Sequence, residues 1–137
     1  MSLTQEQKVA VAASVRSYVG VRWVGQGRSH KGIDCIGVIV MGFRGGGLTV
    51  DEGVPDYQGI DSVRMVRLLR RHCDPVTDGS FDVGDVVVYG AAQETHVAMI
   101  VDGNPFNAVH CPLGEEAVEA RFDPSRAPMK GVYRWRS

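Results

Sequence analysis

The chain reads as an α+β protein. Two observations predict this. Up to His72 the apolar residues recur at helical spacing between loops rich in Gly and acidic residues. From Phe81 onward, short runs of Val, Ile, Tyr and Phe alternate with turn residues, which is the pattern of strands. Helices first and antiparallel strands afterwards place the helices on one side of a sheet.

The first helix spans Thr4 to Val19. Thr4 and Gln7 are spaced as a capping box, Gly20 follows as a C′ residue, and Val11, Val15, Tyr18 and Val19 form one apolar stripe. Gly20 to Ile33 is a polar, glycine-punctuated loop containing Trp23, Gln26, Arg28 and His30, and long loops in compact domains are often functional. At Asp34-Cys35 the loop gives way to an apolar run, Ile36 to Arg44, read as a helix that Gly45-Gly46-Gly47 ends. Gly37 and Gly42 cost that helix about 1 kcal/mol each relative to Ala, so tight packing on a sheet is the expected compensation. Leu48 to Gly59 is a loop with Asp51, Asp56 and Tyr57. Asp61 then caps a helix from Ser62 to His72, with Val63, Val66 and Leu69 on its apolar side. Strands are predicted at Val86–Tyr89, His96–Val101, Phe106–Cys111, Ala117–Phe122 and Gly131–Trp135, with a turn at Asp102-Gly103-Asn104-Pro105.

The 137 residues suffice for a single domain, 1–137, with its own core. The net charge of -1 gives no footprint for nucleic acid or a membrane surface. Arg64, Arg67, Arg70 and Arg71 read as a solvated helix face. Three widely spaced cysteines, Cys35, Cys73 and Cys111, are neither a disulfide framework nor a zinc knuckle, and fit a reducing compartment. The N-terminal residues do not form a signal peptide, so synthesis in the cytoplasm without a cleaved signal is expected.

A cysteine at the first turn of a helix lies beside unpaired N–H groups and the positive end of the helix dipole, which predicts a lowered thiol pKa and a nucleophilic thiolate. The competing reading is a buried core thiol. Nucleophilic catalysis also needs a base and a group to orient it. His96 opens one strand and His110 nears the end of the next. In an antiparallel pair these positions meet at one rim, so they read as base and orienter if the Cys35 helix packs there. Singly, each would be an ordinary hydrogen-bonded or half-buried histidine. His30 and His72 read as solvated. A zinc site made of Cys35, His96, His110 and Cys111 is disfavoured, because adjacent strand residues face opposite ways. Cys111 therefore reads as core and Cys73 as an ordinary thiol at a helix end. Asp34 reads as a cap for the Cys35 helix, and Asp85 as a turn residue.

The segments 20–28, Gly32-Ile33-Asp34-Cys35-Ile36-Gly37-Val38, Gly84-Asp85-Val86-Val87-Val88-Tyr89, His96-Val97-Ala98-Met99-Ile100 and Val109-His110 occur in that order. This resembles the NlpC-type family of papain-like cell-wall cysteine peptidases. The resemblance implies a papain-like core, with the nucleophile helix packed against a C-terminal antiparallel half-barrel. It implies a Cys35–His96–His110 triad, no metal and no cofactor, and hydrolysis of peptidoglycan stem peptides at the γ-D-glutamyl–diamino acid bond. The family has Tyr where Trp23 stands and a Gly pair where Gln26-Gly27 stands. The expectation is that the Gln26 amide and the Cys35 N–H hold the oxyanion. Trp23, Arg28 and Asp34 join the substrate-binding set, with Arg28 meeting a substrate carboxylate or simply solvated. The Gln-Gly-Arg variant resembles the phage or prophage branch, which implies phage tail proteins as partners and a virion-associated or wall-released location. The alternatives are a tail assembly protein with vestigial activity and a papain-like amidase acting on another small amide.

Overall fold

The computed structural model describes residues 2–59, 61–90, 95–103, 106–121 and 129–136. Helix α1 (Gln5–Arg16) starts at Thr4, whose hydroxyl accepts the Gln7 N–H while the Gln7 side chain accepts the Thr4 N–H. Each reciprocal bond satisfies a donor that the helix start would leave unpaired. Val11, Val15 and Tyr18 are buried as the periodicity requires. Val19 is not. The helix ends at Arg16, and the turn that follows rotates Val19 out of the stripe and leaves it 44 % exposed.

Helix α2 (Cys35–Gly45) is apolar nearly all round, and almost every residue is buried. Such a helix must lie between two layers. A Cβ on Gly42 would sit 2.3 Å from Val15 of α1 and 3.2 Å from the Met99 sulfur in the sheet. The glycine therefore lets α1 and the sheet close on α2 from both sides, which offsets its propensity cost.

The polar loop before α2 is more ordered than its composition suggests. Strands β1 (Arg28–Ser29) and β2 (Gly32–Ile33) form a short antiparallel pair, and Trp23 bridges to Ile33. Helix α3 (Ser62–His72) is capped by Asp61, whose carboxylate accepts the Arg64 N–H. It buries Met65 and Leu69, an i, i+4 pair, while Val63 is 67 % exposed. The apolar side is thus rotated from the expected Val63–Val66–Leu69 line.

The second half supplies β3 (Cys73–Pro75), β4 (Val86–Tyr89), β5 (His96–Gly103), β6 (Phe106–His110), β7 (Val118–Arg121) and β8 (Met129–Trp135). All pair antiparallel in the order β3-β8-β4-β5-β6-β7. The sequence reading missed β3. It is only three residues long, and its first residue, Cys73, is the C-cap of α3, at the helix end as expected, and is buried against the core. Asn104-Pro105 of the expected turn and Phe122 of the expected strand lie outside the described residues. Val97, Met99, Val101, Val109 and Cys111 share one core with α1 and α2, and Val87, Ala98, Ile100 and Ala108 form a second cluster. Alternation along each strand puts the two clusters on opposite faces.

Asp85 is more than a turn residue. It is buried and accepts two hydrogen bonds from the Arg134 guanidinium of β8, at 2.9 and 2.8 Å. His72 is likewise not simply solvated. Its ring stacks on Trp135 with centroids 5.2 Å apart, and its Nε2 accepts the Asp51 N–H at 3.0 Å.

Candidate active site

Asp34 is the N-cap of α2, so Cys35 is its first residue. The Asp34 carboxylate is buried and fully engaged. One oxygen accepts the Gly37 N–H at 2.8 Å and an Arg28 N–H at 2.9 Å. The other accepts the Gln26 N–H at 2.8 Å and the Tyr57 hydroxyl. Four bonds use all the lone-pair sites of a carboxylate.

Arg28 is used as completely. Its guanidinium donates to Asp34, to the Gly27 carbonyl, twice to Glu52 and once to the Tyr57 oxygen. That exhausts its five N–H donors. Burial alone would lower its pKa, and the bonds to Glu52 and Tyr57 and the charge of Asp34 raise it, so it stays a cation. The side chain expected to meet a substrate carboxylate meets two carboxylates of its own protein.

Gln26 has φ of 65°, the one non-glycine among the described residues in the left-handed region. This backbone shape explains why glycine is natural at such a place and costs Gln about 1 kcal/mol. The Gln26 amide donates to the Tyr57 carbonyl. Loop 24–28, loop 50–59 and the start of α2 are thereby stitched together. Gly37 completes the fit, since a Cβ there would sit 2.4 Å from the Gly27 carbonyl oxygen. Trp23 bridges β2 with its backbone, and its buried Nε1 has no hydrogen-bond partner among the described residues.

Cys35 is buried, 5 % exposed as a residue. Burial pushes its pKa up, the Asp34 charge and Cys111 add to this, and the N–H groups of Ile36 and Cys35 pull the other way; the result is about 12. This corrects the expected lowering. The helix N-terminus does act in the predicted direction, but removal of water from the thiolate outweighs it. Cys111 reaches the same place, its S–H donating to the Ile33 carbonyl at 3.5 Å. The residue after β6 is thus joined to the end of β2, two residues before α2.

His110 precedes Cys111, and His96 begins the neighbouring strand. Both rings contact Tyr89, with centroids at 5.6 Å for His96 and 6.5 Å for His110. Burial lowers the His110 pKa, the nearby His96 lowers it further, and Glu115 opposes both. Its Nδ1 is buried without a hydrogen-bond partner among the described residues. Alternation turns both rings to the Tyr89 side of the sheet, whereas Cys111 and Val109 share the core with Cys35. By alternation the two histidines thus lie on the sheet face opposite the core that holds Cys35. His30, by contrast, stacks on Tyr18 at 4.1 Å and pairs with the Ser17 hydroxyl.

No family model and no curated protein sequence matches the chain. Solved structures do. A lipoprotein-like NLP/P60 family protein of Staphylococcus aureus aligns with TM-score 0.69 and 17 % identity, over 100 % of this chain and 44 % of that one. NlpC2 of Trichomonas vaginalis aligns with TM-score 0.68 and 15 % identity, over 97 % and 48 %. The NlpC/p60 domain of the peptidoglycan hydrolase SagA aligns with TM-score 0.60 and 18 % identity, over 95 % and 98 %. The fold is the NlpC/P60 one. The chain spans less than half the length of the first two of these structures. On this NlpC/P60 frame, Glu52 and Tyr57 are the site partners that sequence reasoning missed. Glu52 lies 24 residues from Arg28 in sequence and carries no local motif.

Proposed function

We propose that the chain is a cysteine hydrolase of peptidoglycan stem peptides, with Cys35 as nucleophile, His96 as base and His110 as the residue that orients the base. What supports this is a thiol at the capped start of α2 together with two histidines that both contact Tyr89, the residue after His110 being bonded to Ile33, two positions before Cys35. The NlpC/P60 fold supports the substrate class, since SagA, one of the aligned structures, is a peptidoglycan hydrolase.

In this reading His96 takes the Cys35 proton as the sulfur attacks the amide carbonyl. A resting thiolate is not required, which fits a thiol held near 12. The tetrahedral oxyanion is met by the N–H groups at the start of α2, and one N–H of the Gln26 amide remains uncommitted by the bond to Tyr57. Collapse forms a thioester and releases the amine with the proton from His96. Water, deprotonated by His96, then frees the acid. The Nδ1 of His110, without a partner among the described residues, is the atom available to hold the His96 ring. The bond assigned is that between γ-D-glutamate and the diamino acid, and the setting is a phage or prophage tail.

The raised Cys35 thiol favours one second reading, a tail assembly protein with vestigial activity. Mass spectrometry of muropeptides incubated with the protein separates the two. Cleavage at the assigned bond, absent in Cys35→Ala, supports the hydrolase. A folded protein that leaves muropeptides intact supports the assembly reading.

A further inference from the structure

Two imidazoles at one rim work together only if their mutual orientation is fixed, and one ring touches both. Tyr89 closes β4 directly opposite His96 in the β4–β5 register. Its ring lies 5.6 Å from His96, tilted by 30°, and 6.5 Å from His110, edge-on at 67°. These are the separations and angles at which aromatic pairs attract. The ring is itself anchored, since Tyr89 packs against the cluster of Val87, Ala98, Ile100 and Ala108. The β4–β8 register also shifts between Val88 and Tyr89, so Tyr89 stands where the strand departs from regular pairing.

We propose that Tyr89 is a positioning residue, whose ring holds the His96 and His110 imidazoles in their mutual orientation. This rests on the reading of His96 and His110 as base and orienter. The ring does the work, not the hydroxyl. The contacts that reach both imidazoles are those of the ring, and burial raises the hydroxyl pKa, so it remains a neutral phenol. The face of the ring sets the tilt of His96, and its edge limits the rotation of His110. Without it, His110 keeps a buried Nδ1 but loses the wall that directs it.

The test compares the wild type with Tyr89→Phe and Tyr89→Leu, all checked for folding by circular dichroism and thermal melting. Two quantities are read: kcat/KM against pH on muropeptides, and the imidazole titrations of His96 and His110 by NMR. Tyr89→Phe is expected to match the wild type in both. Tyr89→Leu is expected to lose kcat about tenfold or more with KM little changed, and to move the titration of at least one histidine. If Tyr89→Leu leaves both titrations and kcat unchanged, or Tyr89→Phe fails to rescue, the assignment is overturned. Cys35→Ala and His96→Ala controls keep the two questions apart. If the wild type does not hydrolyse muropeptides, the proposed function falls and the titrations alone decide the role of Tyr89.

Discussion

The guanidinium of Arg28 lies 2.9 Å from the carboxylate of Asp34, the residue immediately before the candidate nucleophile. On its other side the same guanidinium holds Glu52, and both carboxylates are almost fully buried. Arg28 is thus shared by two buried anions, with Arg44 3.8 Å from Glu52 as a second cation, and it ties loop 50–59 to the start of α2. The Tyr57 hydroxyl, donating to Asp34 and accepting from Arg28, closes the network.

Removing that cation should therefore destabilise the protein before it affects substrate binding. Arg28→Met removes the cation that two buried carboxylates share, leaving Asp34 its neutral donors and Glu52 only Arg44 at 3.8 Å, and a loss of roughly 3–5 kcal/mol is expected. Urea unfolding measures it. A variant with unchanged stability and a raised KM would mean that Arg28 serves substrate and not structure.

Asp34→Asn separates the two effects of this carboxylate. Its charge raises the Cys35 pKa, so its removal should lower that pKa and speed alkylation of Cys35 at a fixed pH. Asn can still cap α2, but its NH2 group would face donors that the second carboxylate oxygen now accepts from, and Arg28 is left short of one counter-charge. Faster alkylation together with a lower melting temperature is the expected pair of results, read by iodoacetamide kinetics with peptide mapping and by thermal melting.

Gln26 combines a strained backbone with a useful side chain. Gln26→Ala keeps φ positive and loses the bond to Tyr57, so it should be less stable than the wild type. Gln26→Gly loses the same bond but relieves the backbone, and should be more stable than the Ala variant by about 1 kcal/mol. Equal stability of the Ala and Gly variants in denaturant titrations would show that φ carries no strain.

Acid should weaken the fold through His110. Its folded pKa lies below the ordinary 6.5, so the unfolded chain binds the proton more readily. The stability it contributes is present above 6.5 and is lost as pH falls from there through its folded value. Melting temperatures recorded across that window should fall on acidification, and His110→Gln should flatten the slope. His96 faces His110 and Glu115 acts on it from the other direction, so Glu115→Gln should steepen the same slope.

Much of this was legible in the chain because it is local. The Thr4–Gln7 box, the Asp34 and Asp61 caps and the Val86–Tyr89 run are written in adjacent residues, and each forms the element it predicts. The apolar sides of α1 and α3 were read less well, because where a helix stops and how it rotates depend on what packs against it. Val19 and Val63 show this. At the site, the junction at Cys35 and its cap were visible in sequence. The network around Arg28 was not, since Glu52 and Tyr57 approach it only after the chain has folded back. The thiol was misjudged for a related reason. A helix dipole can be inferred from sequence, but the burial that outweighs it comes from the tertiary structure.

The central claim is that Cys35 forms a covalent intermediate with a stem peptide. The most direct measurement is intact-protein mass spectrometry after acid quench of the wild type mixed with muropeptides, followed by mapping of the adduct. The account predicts an added mass equal to the acyl half of the cleaved peptide, located on Cys35 and absent from Cys35→Ala. Cleavage that proceeds in Cys35→Ala, or an adduct on Cys73 or Cys111 in place of Cys35, would contradict it.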